Sequence, residues 1–164
     1  MIPRGEERHS VESTPKDVID IQNCDLFIDT GGESEAWVAD VLESVGGGVR
    51  AVTLMDCVEL LEEETVEGME DPHAGHDHGH GAEYDEHVWT SPRNAALICG
   101  KIAAALCEVD PEGAEEYGTA LESYCAQLDE LDAAVTAVVE HGVRDTVVFG
   151  GRSPRFSFTQ PHGL

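Results

Sequence analysis

Five of the eight histidines in this 164-residue chain lie in one short segment, HAGHDHGHGAEYDEHVW, at residues 73–89. Glycine and acidic residues separate them, and apolar side chains are sparse before Val88. Neutral imidazole is the commonest protein ligand for zinc and related transition metals. A polar tract with this density of imidazoles predicts that the chain handles a divalent metal ion. The five are His73, His76, His78, His80 and His87.

His87 differs in its setting from the other four. It lies where the polar tract meets Val88 and Trp89, just before the predicted helix cap at Ser91. Such a junction fixes the direction of a side chain, as a preformed metal ligand requires. The other four histidines lie in a glycine-rich loop, which is a poor rigid cage but could capture or deliver a metal. The alternative for them is a solvated low-complexity insert.

His9 is a further candidate ligand, in the segment EERHSVESTP just before the first predicted helix. A lone histidine in a loop is more often a solvated side chain. Here Glu6, Glu7 and Glu12 are close in sequence, and a neighbouring carboxylate can orient a ligating imidazole and raise its basicity.

The first third of the chain predicts an α/β unit. Thr14 and Pro15 are typical of a helix start, as N-cap and first helical residue. The apolar run at 25–29 predicts a short strand, Ser34 is expected to open a second helix, and residues 49–54 predict a second strand. This alternation favours a parallel sheet flanked by helices.

Residues 59–86 are expected to form an acidic, histidine-rich and mobile excursion, with order returning at His87. Ser91 and Pro92 predict a helix with one apolar face, formed by Ile98, Ile102, Ala105 and Val109.

A long helix is predicted from about residue 112 to about residue 140. Its apolar residues alternate gaps of four and three, which is typical of a continuous packing stripe, or alternatively of a coiled-coil arm. The stripe consists of Tyr117, Leu121, Tyr124, Leu128, Leu131, Val135 and Val138. The run TVVF at 146–149 predicts a third strand.

Composition excludes several classes of function. With 34 acidic against 9 basic residues, the formal net charge is -25, which argues against binding nucleic acid or an anionic membrane and suits a protein that attracts cations. The charge could equally serve solubility or a high-salt niche.

The five cysteines form no CxxC pair, so a thiolate zinc site is not expected. No signature of a hydrolase, metalloprotease or nucleotide-binding loop is present, so we do not expect an enzyme.

Features that would place the chain at a membrane are also lacking in the sequence. There is no apolar run long enough to cross a bilayer. The first ten residues contain no apolar signal region, so no signal peptide is expected. Either the protein is cytosolic or the chain is part of a longer secreted one.

Four segments, in this order, resemble the zinc and manganese ABC-transporter solute-binding proteins. HSVESTPKDVIDIQNCDLFIDTGGESEAWVADVL is similar to the family segment in which a histidine and a proline motif precede a helix, a strand and an acidic glycine turn. EYDEHVWTSPRNA is similar to its second landmark, a histidine followed by an aromatic residue and a helix-capping proline. DPEGAEEYGTALESYCAQLDELDAAV resembles the next helix, and DTVVFGGR resembles the first strand of the second lobe.

The resemblance implies a fold of two α/β lobes joined by a long helix, with the metal in the cleft between them. Residues 1–110 would form a partial first lobe with its histidine-rich loop at about 59–86. Residues 111–141 would form the long helix, and 142–164 the start of an incomplete second lobe. The chain is therefore expected to be a truncated or degenerate member.

The resemblance also implies the function. Members capture a divalent metal outside the cytoplasmic membrane and pass it to an ABC permease, and His9 and His87 match two of their imidazole ligands. A third family histidine is replaced here by Gly150, so Glu7, water, loop imidazoles or, more remotely, His162 would complete the coordination shell. Zinc is expected before manganese, because imidazole-rich sites favour zinc.

Departures from the family pattern leave rival hypotheses open. Val11 replaces the usual aromatic residue, and Ser13 replaces the first proline of the motif. The rivals are a cytosolic metal buffer or metallochaperone in which only the histidine tract matters, a zinc hydrolase, and a fragment that does not fold alone.

Overall fold

The computed structural model describes residues 14–46, 48–62, 84–144, 146–148 and 156–164. Five α-helices and two β-strands are found in these ranges, and 3₁₀ turns connect several of them. In chain order the helices and strands are α1 (Pro15–Gln22), β1 (Leu26–Asp29), α2 (Trp37–Ser44), β2 (Arg50–Thr53), α3 (Pro92–Val109), α4 (Ala114–Glu140) and α5 (Phe156–Thr159). None of the helices in this part of the chain combines the length and the apolar character needed to cross a bilayer.

The predicted parallel pairing of the first two strands is confirmed. Leu26 of β1 lies opposite Arg50 of β2, and Asp29 lies opposite Thr53. Helix α2 connects the strands, as parallel neighbours require a crossover. The pairing continues past the strand ends, where the Leu54 N–H donates to the Asp29 carbonyl over 2.9 Å.

The predicted start of α1 is also confirmed. The Asp17 N–H donates to Thr14 Oγ1 over 3.3 Å, and the Thr14 N–H donates to Asp17 Oδ2 over 2.9 Å. This reciprocal capping box satisfies backbone donors that the first helical turn cannot pair internally.

The predicted start of the second helix at Ser34 is wrong. A 3₁₀ turn, Glu33–Glu35, comes first, and α2 begins only at Trp37. Ser34 does not cap a helix because its N–H and hydroxyl both donate to the Glu86 carboxylate, the N–H over 3.0 Å. Ser34 thus bonds a distant carboxylate, that of Glu86, and not the backbone of the helix that follows it.

Helices α3 and α4 pack against each other, and they run antiparallel, since Arg93 at the start of α3 bonds Asp132 and Asp110 at its end bonds Tyr117. Ser91 is the N-cap of α3 and Pro92 its first residue, as predicted. Ile98 and Ala105 are buried, whereas Val109 at the end of the same face is exposed. The long helix is confirmed, although its first turn, Pro111–Gly113, is a 3₁₀ turn.

The continuous packing stripe predicted on α4 is wrong for the described part of the chain. Leu128 is buried, but Leu131 is 51% exposed and Val138 is 74% exposed. Helix α3 has 18 residues against 27 in α4. Arg93 in the first turn of α3 bonds Asp132, so Val138 lies beyond the end of α3, whereas Leu131 lies beside α3 on a side of α4 that α3 does not cover.

The predicted third strand is not present at 146–148. Val147 and Val148 are 45% and 90% exposed, and the sheet formed by the described residues has two strands. A β-branched run becomes a strand only where a neighbour pairs with it and buries one face.

The histidine-rich excursion is closed at its base by an isolated antiparallel bridge between Glu62 and Tyr84. The Asp85 N–H donates to the Leu61 carbonyl over 2.9 Å in the same place. Regular contacts therefore resume at Tyr84, earlier than the predicted return at His87. Most of the excursion predicted to be mobile at 59–86, namely residues 63–83, lies outside the described residues, and its mobility stays a prediction.

Candidate metal centre

His87 is held by the backbone on both of its sides. The bridge at Tyr84 precedes it, and the 3₁₀ turn Val88–Thr90 follows and leads into α3. Val88 is 1% exposed and packs in the main apolar cluster with Met55 and Ile98. The prediction that His87 lies at a fixed junction is therefore confirmed.

Asp85 binds the His87 residue at two points. One carboxylate oxygen, Asp85 Oδ1, accepts the His87 backbone N–H over 2.9 Å and lies 3.0 Å from the ring atom Nδ1. The other oxygen, Oδ2, accepts the backbone N–H of Ser157 over 2.8 Å. The Asp85 side chain has no exposure to solvent.

These hydrogen bonds keep the Asp85 carboxylate ionised. Burial by itself raises the pKa of Asp85, but the bonds from Ser157 and His87 outweigh it and lower the pKa below the usual aspartate value. An ionised carboxylate can only accept hydrogen bonds. The Nδ1 atom of a neutral His87 ring must then carry the proton, and the lone pair lies on Nε2.

The ring of His87 reaches the surface, since 17% of its side chain is exposed. It lies 5.6 Å from the indole of Trp89, between ring centroids, at an interplanar angle of 50°. A metal-ligating histidine typically donates its second ring N–H to a carboxylate, which fixes both its tautomer and its orientation. The Asp85–His87 pair has this arrangement.

Glu86 connects the same segment to the glycine turn after β1. Its carboxylate accepts both polar hydrogens of Ser34 and lies against Gly32, which has a positive φ of 83°. A Cβ on Gly32 would overlap the Glu86 side chain. Only glycine fits there, so the turn and the segment that carries His87 approach closely.

A second carboxylate lies buried at the carboxyl end of β1. Asp29 Oδ2 accepts the Thr53 hydroxyl over 3.1 Å. Burial raises the pKa of Asp29, the carboxylates of Glu35 and Asp56 act in the same direction, and hydrogen bonds from Thr53 and the Gly31 N–H oppose them.

Five predicted histidine ligands lie outside the described residues, so their placement stays a prediction. They are His9, His73, His76, His78 and His80. Within the described ranges no three His, Cys, Asp or Glu side chains converge as a metal site would require. The structure thus provides one oriented imidazole with its carboxylate.

His162, the remote substitute ligand, lies against α4. Its ring is 2% exposed, with Nε2 3.6 Å from Asp132 Oδ1 and Nδ1 3.4 Å from Thr136 Oγ1. Asp132 also accepts a hydrogen bond from Arg93 over 2.9 Å. These contacts give His162 a packing role beside α4.

Sequence reasoning missed Asp85 and Ser157. Asp85 had a usable signal, because an acid two residues before a histidine can bond both its backbone and its ring. Ser157 had none, because it lies 72 residues further along the chain from Asp85.

The chain matches one family model over residues 1–152, that of the periplasmic component A of zinc-uptake complexes. It is 36% identical over 136 residues to the high-affinity zinc uptake system protein ZnuA of Bacillus subtilis, covering 80% of this chain and 41% of that protein. It is 31% identical over 130 residues to the iron-binding protein YfeA of Yersinia pestis, covering 79% and 37%. The chain therefore spans less than half the length of these two relatives.

Solved structures show the same fold. The metal-dependent lipoprotein YcdH of Bacillus subtilis superimposes with a TM-score of 0.80 at 27% identity, over 100% of this chain and 55% of that one. The zinc-bound ZnuA-like domain of Streptococcus pneumoniae AdcA superimposes with a TM-score of 0.76 at 25% identity, over 98% and 53%. The α/β fold expected from the sequence is thereby confirmed.

Proposed function

The chain belongs to the family of periplasmic A components of zinc-uptake complexes, and from this membership we propose that it captures a divalent metal ion, zinc first, outside the cytoplasmic membrane. The captured ion is then passed to an ABC permease. The proposal covers the activity of a whole transport component, of which this chain spans a part. It involves binding and release of the metal and no catalysis.

One observation carries the proposal: the hydrogen-bonded pair of Asp85 and His87. The pair holds one imidazole with its Nδ1 proton directed at a buried carboxylate over 3.0 Å. Metal sites use this device to raise the basicity of a ligand and to fix its direction. His87 accordingly serves as a metal ligand through Nε2.

The other parts of the site follow from the family pattern. His9 supplies the second nitrogen ligand, and the histidines of the 73–80 loop act as a low-affinity collector. The excess of acidic residues raises the local concentration of cations. A zinc shell needs four ligands, or three and a water, and Glu7, a loop imidazole or water completes it.

The choice of zinc over other metals rests on ligand chemistry. Imidazole suits zinc, copper and nickel, whereas carboxylate and carbonyl oxygens suit manganese. One similar protein is named as iron-binding and another as a zinc uptake protein. Zinc is therefore the first metal to test, with manganese and iron(II) titrated alongside.

Zinc titration by calorimetry tests the proposal with three variants of the full chain. His87→Ala should weaken the tight site by more than the roughly 10–100-fold that loss of an outer carboxylate costs. Deletion of residues 73–80 should remove weak sites and retain one tight equivalent. His141→Ala is the matched control, because His141 is exposed at the end of α4 and its loss should leave the titration unchanged.

Two results would count against capture at His87. An unchanged tight site in His87→Ala would exclude this residue as a ligand. Complete loss of zinc binding on deletion of 73–80 would instead favour the metal-buffer alternative, in which the histidine tract acts without a permease.

A further inference from the structure

The C-terminal segment 156–164 packs against the segment that carries His87. Its helix α5 contacts the 3₁₀ turn Val88–Thr90. Ser157 and Thr159 of this helix are buried, at 2% and 5% exposure. A segment far away in sequence thus forms one wall of the candidate metal centre.

Asp85 is the point at which the two segments meet. Its two carboxylate oxygens have different partners: Oδ1 accepts from the backbone and ring of His87, and Oδ2 accepts the Ser157 N–H over 2.8 Å. With one oxygen fixed on each side, the carboxylate cannot rotate without breaking a charge-assisted hydrogen bond. Such bonds are about twice as strong as neutral ones.

The same segment is attached at its other end to α4. The His162 ring is 98% buried, since its exposure is 2%, and lies 3.6 Å from Asp132 Oδ1. Its centroid is 5.4 Å from the ring of Phe158. The segment therefore contacts the rest of the protein at two separate points, Ser157 with Asp85 and His162 with α4. These contacts fix the position of Ser157 relative to Asp85.

We infer that Ser157 is a positioning residue for the metal site: its backbone N–H fixes the Asp85 carboxylate, which in turn orients the His87 ring. This inference rests on the proposed role of His87 as a ligand. It has a consequence for the segment 156–164, because coupling between two binding events is reciprocal. If docking of the segment orients His87 for zinc, zinc bound at His87 must also stabilise the docked segment.

Two substitutions at position 157 separate the backbone contribution from that of the side chain. Ser157→Pro removes the N–H at the second residue of α5, where a helix tolerates proline. Ser157→Ala keeps the N–H and removes the hydroxyl, which also hydrogen-bonds to the Asp85 carboxylate. We expect Ser157→Pro to weaken zinc binding about tenfold, the lower end of the range for outer-sphere partners, and Ser157→Ala to bind more tightly than Ser157→Pro.

The ¹⁵N chemical shifts of the His87 ring provide a readout that a merely structural role would not change. In the metal-free wild-type protein the Nδ1–H tautomer should dominate. In Ser157→Pro the Nε2–H tautomer should gain population, because the carboxylate that holds the Nδ1 proton can rotate. Equal tautomer populations and equal zinc affinity in the wild-type protein and both variants would overturn the inference.

Hydrogen exchange of the wild-type chain gives a second test that does not depend on proline being tolerated. Saturating zinc should slow amide exchange in residues 156–164, and Asp85→Asn should abolish this slowing even when zinc is saturating. Unchanged exchange of the segment on adding zinc to the wild-type protein would contradict the coupling. His87→Ala keeps the two proposals apart: if it loses the tight site while Ser157 variants and segment exchange show no effect, only the inference is wrong.

Discussion

The hydrogen bond between Asp85 and His87 selects one tautomer of the imidazole. Because Asp85 is buried and ionised, the Nδ1 proton of a neutral His87 ring must lie between them at 3.0 Å. The fixed position of His87 could be predicted from the sequence, since it follows a polar tract and precedes a helix cap. The Ser157 N–H on the far oxygen could not, because no periodicity or spacing connects residues 72 positions apart.

Asp29 gives a prediction for the pH dependence of stability. Burial raises its pKa, so the native state binds the Asp29 proton more tightly than the unfolded chain does. Its contribution to stability is therefore present at low pH and is lost as pH rises from the ordinary aspartate pKa through the raised value. The Asp29→Asn variant lacks this loss of stability, because asparagine does not titrate.

Urea unfolding at a series of pH values measures the effect. The free energy of unfolding of Asp29→Asn, relative to wild type, should increase as the pH rises above the ordinary aspartate pKa of about 4, by no more than about 1.4 kcal/mol per pH unit for a single proton. Asp25→Asn is the control, because Asp25 is exposed just before the same strand and changes the net charge equally. The assignment is wrong if both variants show the same pH trend.

At the scale of elements, a capping side chain followed by proline correctly predicts where two helices begin. Thr14 caps α1 and Ser91 caps α3, both followed by proline. Ser34 has the same local character, but its polar hydrogens go to Glu86, 52 residues away. At Ser34 a distant carboxylate therefore takes the hydrogen bonds of a side chain whose local sequence predicts a helix cap.

Strand formation likewise depends on partners outside the segment. The runs that form β1 and β2 pair with each other, so their apolar residues have a neighbour. Val147 and Val148 have the same strand-forming character without a pairing partner among the described residues, and they are largely exposed. For β1 and β2 the pairing partner could be predicted from the alternation of strand and helix, whereas residues 146–148 offered only strand propensity and no signal for a partner.

Ser91→Ala tests how much the N-cap stabilises α3, the helix that follows the segment with His87. The Asn94 N–H donates to Ser91 Oγ over 3.4 Å, and Ser91 is buried, so its removal leaves a helix donor unsatisfied. We expect a loss of about 1 kcal/mol in the free energy of unfolding. Thr119→Ala is the control on α4: its hydroxyl is exposed and bonds the Glu115 carbonyl, so a change within about 0.5 kcal/mol is expected.

The measurement is urea unfolding of both variants, whose midpoints are compared provided that the slopes of the two curves are equal. A midpoint for Ser91→Ala that coincides with that of Thr119→Ala would mean that the cap contributes little and that tertiary packing alone holds the start of α3.

At the scale of the whole molecule, folding brings distant segments to one place. The turn after β1 contacts Glu86. The 3₁₀ turn before α3 begins at Val88, directly after His87. The segment 156–164 contacts Asp85 through the backbone N–H of Ser157. This convergence lies at the base of the histidine-rich excursion, where Glu62 and Tyr84 pair. The oriented ring of His87 therefore lies close to the point where the chain enters and leaves the histidine-rich excursion.

Direct observation of a bond from the metal to His87 tests the central claim. The full chain, with ¹⁵N-labelled histidine, is titrated with ¹¹³Cd as an NMR-active substitute for zinc. At the first equivalent the account predicts a ¹¹³Cd–¹⁵N coupling to Nε2 of His87 while Nδ1 keeps its proton, with the loop histidines responding at higher equivalents. If the first equivalent of ¹¹³Cd couples to loop imidazoles and leaves the signals of the His87 ring unchanged, His87 is not a ligand of the tight site.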